Sequence, residues 1–182
     1  MDSEPSKRNG TWKFTLYFDT EAAFKVTDKY DNIKGEDLMT KYKSLVGVDE
    51  DILRVNVYEV PLYKWQITKP LLFHMFVVFE TQNWWWSIDK DSNGITLQRS
   101  KRSDAALYTI RQKRRLPGVQ MMLRDEGNMS MHTLLYRLYL AGELKKEYDN
   151  NDRNCKHFAT SVFNKVAKNK EIVSVHYTAF KR

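Results

Sequence analysis

The sequence predicts an α+β fold in which an antiparallel β-sheet packs against helices. Three observations carry this. Alternating or continuous apolar runs, separated by turn residues, fill the middle of the chain. Two segments near the C-terminus carry apolar residues at helical spacing. No repeat or linker divides the 182 residues, which hold only 7 Gly and 4 Pro, and that length suits one domain with its own core.

Residues 1–10 read as a polar tail, and residues 11–182 as the single domain. Trp12, Phe14, Leu16 and Phe18 alternate with Lys13, Thr15 and Tyr17, the pattern of a half-buried strand. Glu36 to Leu45 has helical character. Leu53, Val55 and Val57 alternate with Arg54 and Asn56 as a second strand that Pro61 closes. Leu71 to Phe79 is a continuous apolar run around one histidine, as expected of a strand covered on both faces. After a turn at Glu80 to Asn83, Trp84 to Asp89 forms the return strand. Asp91-Ser92-Asn93-Gly94 signals a further tight turn, with Asn-Gly supplying positive φ angles. Ile95 to Arg99 follows as a strand, and Ala105 to Gln112 as another before Pro117-Gly118. Ser130 caps a helix with the apolar stripe Met131, Leu134, Leu135, Leu138 and Tyr139. A second helix runs to about Lys168, capped by Asp152 or Asn151. Val173 and Val175 suggest a last strand.

Cys155 is the one cysteine, so the chain holds no internal disulfide, in keeping with a cytoplasmic setting. The first residues lack the apolar core of a signal peptide. The apolar run at 71–79 is too short to cross a bilayer as a helix. The net charge is +7, and Arg99 to Arg115 contains seven basic residues against Asp104 alone. Lys113, Arg114 and Arg115 centre a patch that would attract nucleic acid or an anionic surface. No aromatic residues interleave with it as a nucleic-acid module would want.

The chemistry concentrates on the last helix. Cys155, Phe158, Ala159, Val162, Phe163 and Val166 share one helical face, so Cys155 points inward from the first turn. There the helix dipole and free N–H groups favour a thiolate and offer donors to an oxyanion. A free buried cysteine is also an ordinary small hydrophobe, so a base must accompany it. His74 lies within the apolar strand, where a polar ring needs a partner. His157 points about 200° away from Cys155 on the helix. His132 and His176 have polar surroundings. If the turn spans Glu80 to Asn83, Phe79 faces Trp84 and His74 faces Asp89. Asp89 would then orient the imidazole; a bulge or two-residue slip would put Ser87 there instead.

Asn154-Cys155-Lys156-His157-Phe158 resembles the N-C-E-H-F motif of lecithin–retinol acyltransferase-like proteins, in the permuted NlpC/P60 branch of papain-like thiol enzymes. In that order a histidine strand comes first, a second polar residue lies on the next strand, and the cysteine helix comes last. His74, Asp89 and Cys155 follow it, over roughly residues 70–168, with residues 11–65 as an N-terminal extension. Lys156 stands where the motif has an acidic residue, and Trp86 where the acyltransferases carry a second histidine. The resemblance implies a permuted NlpC/P60 architecture and a cysteine hydrolase or acyltransferase. Cys155 would be the nucleophile, His74 the base and Asp89 its orienting partner, acting without a cofactor. An ester, thioester or amide of a small molecule, lipid or peptide would be the substrate. The Trp84-Trp85-Trp86 run leaves room for a second expectation, an inactive binding module of the same fold whose pocket those rings wall off.

Overall fold

The computed structural model describes residues 13–18, 29–30, 35–62, 73–111, 113–149 and 153–169. The polar tail, Trp12, Leu71 and Leu72, the two expected helix caps Asn151 and Asp152, His176 and the expected strand at Val173–Val175 lie outside them. In chain order the elements are β1 (Lys13–Phe18), β2 (Lys29–Tyr30), α1 (Gly35–Val46), β3 (Arg54–Pro61), β4 (Phe73–Glu80), β5 (Trp85–Asp91), β6 (Gly94–Ser100), α2 (Ser103–Tyr108), β7 (Thr109–Ile110), β8 (Lys113–Arg114), β9 (Gln120–Glu126), α3 (Met131–Leu140) and α4 (Cys155–Val166).

The main sheet has the order β2-β1-β6-β5-β4-β3-β9. Most of it is the antiparallel series β6-β5-β4-β3-β9; β1 pairs with β6 in parallel and with β2 antiparallel. The expected α+β class with an antiparallel sheet is therefore present. Strand β4 sits inside the sheet, which is why its sequence is apolar on both faces. Met75, Val77 and Phe79 join Val55, Val57, Trp86, Ile88, Ile95 and Leu97 on one face, under α1, α3 and α4. Phe76 and Val78 join Val60 and Ala106 on the other, under α2.

The helical stripes pack as their spacing requires. Met131, Leu134, Leu135 and Leu138 of α3 are buried, and the Ser130 side chain accepts a hydrogen bond from the Thr133 amide. All six apolar positions of the α4 stripe are buried. Burying each large side chain contributes about 1.5–3 kcal/mol relative to exposure, which fixes α4 firmly against β3, β4 and β5.

Four details differ from the sequence expectations. Residues 103–108 form α2 rather than a strand: Ala105 and Ala106 favour helix, and the fully buried Ala106 lets the short helix lie close on the sheet. Strand β9, which pairs with β3, carried no clear alternation, since its side chains are mostly exposed. The β5–β6 turn places Ser92 and Asn93 between the paired Asp91 and Gly94. Only Gly94 there has a positive φ, of 140°, and the Asp91 carboxylate takes the Asn93 amide at 2.7 Å in place of an Asn-Gly turn. The β4–β5 register is also displaced: Phe79 pairs with Trp86 and Phe76 with Asp89, because Trp84 belongs to the turn, where its carbonyl accepts the Thr81 amide.

Candidate active site

The register displacement moves Asp89 from directly opposite His74 to a diagonal position. Side chains two apart on a strand share a face, so His74, Phe76 and the Asp89 that pairs with Phe76 all lie on the α2 side of the sheet. Diagonal neighbours remain within reach of long side chains. The His74 Nε2 and an Asp89 carboxylate oxygen are 2.5 Å apart. Ser87 pairs with Val78 instead, and its buried hydroxyl has no hydrogen-bond partner among the described residues.

Phe76 and Asp89 form the last matched pair between β4 and β5. Beyond it the N-terminus of α4 approaches β4. The Met75 amide donates to the Cys155 thiol, and His74 hydrogen-bonds it from the side chain. Cys155 is the first residue of α4, and the cap is Asn154 rather than Asp152 or Asn151. Its carboxamide oxygen accepts from the amides of Lys156 and His157 at 3.0 and 3.2 Å. The His157 Nδ1 lies 3.0 Å from the same oxygen, which holds that ring away from the thiol.

Charge is organised around these groups. Burial disfavours an imidazolium at His74, but the Asp89 carboxylate and the Cys155 sulfur outweigh it, so the His74 pKa rises from 6.5 to about 10. Burial likewise works against the Asp89 carboxylate, yet His74 and Arg115 hold it well below the usual carboxylate range. Burial opposes a thiolate at Cys155, and His74, the Met75 amide and Tyr148 reverse that and lower its pKa. The three residues thus favour a thiolate–imidazolium pair backed by a fixed carboxylate.

Two further residues complete the arrangement, and neither was assigned there from sequence. Arg115 Nη1 lies 2.6 Å from the second Asp89 oxygen, with the two side chains 3% and 2% exposed. Its guanidinium also stacks 3.6 Å from the centre of the Phe76 ring. This corrects the expectation of a surface role for Arg115, whose charge is spent on a buried carboxylate. The rest of the basic run is dispersed too: Arg99 is buried against Trp84 and Trp86, Arg111 bonds Thr96, and Arg102 pairs with Asp104. Lys113 and Arg114 are exposed on β8. The second residue is Tyr148. Its phenol takes a hydrogen bond from the Cys155 amide and stands 4.0 Å from the sulfur. Burial and the neighbouring thiolate push its pKa up to about 12, so it stays a hydroxyl donor at neutral pH. It precedes a polar stretch without periodicity, and Asp149 and Arg153 form a backbone bridge.

The tryptophan run is spread over both layers. Trp86 is fully buried in the core beneath α1 and α3, and Trp84 is a platform for Arg99 and Lys101. Among the described residues no helix is long and apolar enough to cross a membrane, and no group of His, Cys, Asp and Glu side chains is placed to hold a metal ion. No family model, curated protein or solved structure matches the chain.

Proposed function

We propose that this protein is a cysteine-dependent hydrolase or acyltransferase with the papain-like arrangement of the permuted NlpC/P60 enzymes. The observation that carries this is the position of His74, held by Asp89 on one side and hydrogen-bonded to Cys155 on the other. A structural cysteine needs no such base, and a buried histidine satisfied by a carboxylate needs no thiol.

In the proposed reaction the Cys155 thiolate attacks the carbonyl carbon of an ester, thioester or amide. The carbonyl π electrons move to oxygen, and the new oxyanion meets donors at the helix start: the Cys155 amide, released from the Tyr148 phenol, and the phenol O–H itself. His74, as imidazolium, protonates the leaving alcohol, thiol or amine as its bond to carbon breaks. The acyl group is then a thioester on Cys155. His74, now neutral, removes a proton from water or from an acceptor amine or hydroxyl, which attacks the thioester and restores the thiolate. Asp89 keeps one tautomer and one ring orientation throughout and stays ionised.

The test is acyl-enzyme trapping. An activated ester such as p-nitrophenyl acetate should add one acetyl group to intact protein, located by mass spectrometry at Cys155. Cys155→Ala should remove the adduct. A variant labelled as strongly as wild type would contradict the proposal.

A further inference from the structure

A cavity of about 180 Å³ opens beside the first two turns of α4, lined by Lys90, Glu143, Lys146, Arg153, His157, Phe158 and Ser161. We propose that it binds a phosphate monoester, and, on the reading of Cys155 as a nucleophile, that this phosphate is the anionic end of the acyl substrate.

The lining sets the chemistry. Three cations, Lys90, Lys146 and Arg153, surround the space, against the single carboxylate of Glu143. Glu143 is taken up by Lys146, 2.7 Å away, and Arg153 stands 3.9 Å from Asp149, which is outside the lining. With Asp149 beside Arg153, the cavity gathers three cations against two carboxylates, a surplus of positive charge that attracts an anionic phosphate. Arg153 can grip two phosphate oxygens and the lysines act as point charges. The Ser161 hydroxyl and His157 supply neutral polar groups.

Lys90 is the least expected member. It is 2% exposed on the α4 side of β5, next to Asp89 in sequence, with Nζ 5.5 Å from the centre of the Phe158 ring. Burial lowers its pKa to about 8; Glu143 opposes that, and Lys146 and Arg153 add to it. An anion entering beside Lys90, Lys146 and Arg153 meets three positive charges at once. The volume is below the range of roughly 300–1,000 Å³ for pockets that enclose a whole drug-sized ligand, which suits a single charged group. His157 and Phe158, which line the cavity, follow Cys155 by two and three residues on α4, so a phosphate held here lies about one helical turn along α4 from the residue that carries the thiol.

The test is isothermal titration of the full chain with glycerol 3-phosphate at constant ionic strength. Saturable one-to-one binding is expected. The Lys146→Ala/Arg153→Ala pair, both side chains about half exposed and so safe for folding, should weaken it by about tenfold or more, as loss of charged hydrogen bonds does. Glu143→Gln should tighten it, a change that misfolding does not mimic. Cys155→Ala should bind as wild type does, so a failed thiol chemistry and a failed phosphate site are distinguished. A second arm uses phosphatidylcholine vesicles with and without phosphatidic acid. Binding to the soluble ester identifies a free metabolite as the source, and binding to the phosphatidic acid vesicles alone, weakened by the same charge variants, identifies a lipid headgroup. No saturable binding in either arm, or affinities indifferent to Lys146, Arg153 and Glu143, overturns the proposal.

Discussion

Asp89 is the residue on which the site turns. Its two oxygens serve two cations, the His74 ring at 2.5 Å and Arg115 at 2.6 Å. Both Asp89 and Arg115 are buried, and a buried charge is tolerated only when paired. Asp89→Asn leaves Arg115 facing a neutral amide. Removing one partner of such a pair costs about 3–5 kcal/mol, so the urea midpoint should fall accordingly, and the His74 pKa, followed by NMR, should drop from about 10. An unchanged midpoint would show that Arg115 does not depend on Asp89. The sequence disclosed His74 because a histidine in an apolar strand breaks a local rule, and Cys155 because its place in the first turn of a buried helical stripe favours a thiolate. Asp89 was found through a register two residues away from the true one. That worked because a shift of two keeps a side chain on its face, whereas a shift of one would have lost it. Arg115 and Tyr148 left no such signal, since a cation in a basic run and a tyrosine in a polar loop look like surface residues.

At the scale of elements, α4 illustrates how a short motif is held. Its core stripe was fully readable from spacing, but its cap was not, because Asn151, Asp152 and Asn154 are all good capping residues. The distinction comes from which one sits immediately before the first buried position, and that is Asn154. Its carboxamide satisfies two helix-start amides and leaves the Cys155 amide for Tyr148. Asn154→Ala should lower stability by about 1 kcal/mol, the usual loss of a cap, read as a shift in chemical denaturation. A shift below a few tenths would mean that the fold, not the cap, fixes the helix start. Strand β4 was legible for the opposite reason: it is covered on both faces, and continuous apolar sequence is the signature of that. Helix α2 was misread as a strand because six residues are too few for helical periodicity to declare itself.

For the whole molecule, one sheet separates two environments, and the candidate site uses both. His74, Asp89 and Arg115 are on the α2 face, and Cys155 comes from the helix layer on the other. They meet where β4 and β5 cease to pair. This joins stability to the same ionisations. The Asp89 pKa is depressed, so its contribution is present above the unfolded value of about 3.9 and is lost as pH falls through its lower folded value. The His74 pKa is raised, so its contribution is complete below 6.5 and is lost as pH climbs through about 10. The lowered Cys155 pKa works the other way, adding stability as pH rises toward the ordinary thiol range and so softening the alkaline decline. The urea midpoint should therefore be highest between about pH 4 and 6.5, with a shallower fall on the alkaline side. A midpoint flat from pH 2 to 10 would contradict this charge network. The most direct test of the thiol site is the pH dependence of Cys155 alkylation by iodoacetamide, in wild type and His74→Ala. Wild type should react with a midpoint below the roughly 8.5 of a free cysteine, and His74→Ala should raise the midpoint, because the largest influence opposing burial is then gone. A wild-type midpoint at or above about 8.5, or the same midpoint in both proteins, would contradict a thiolate held by His74.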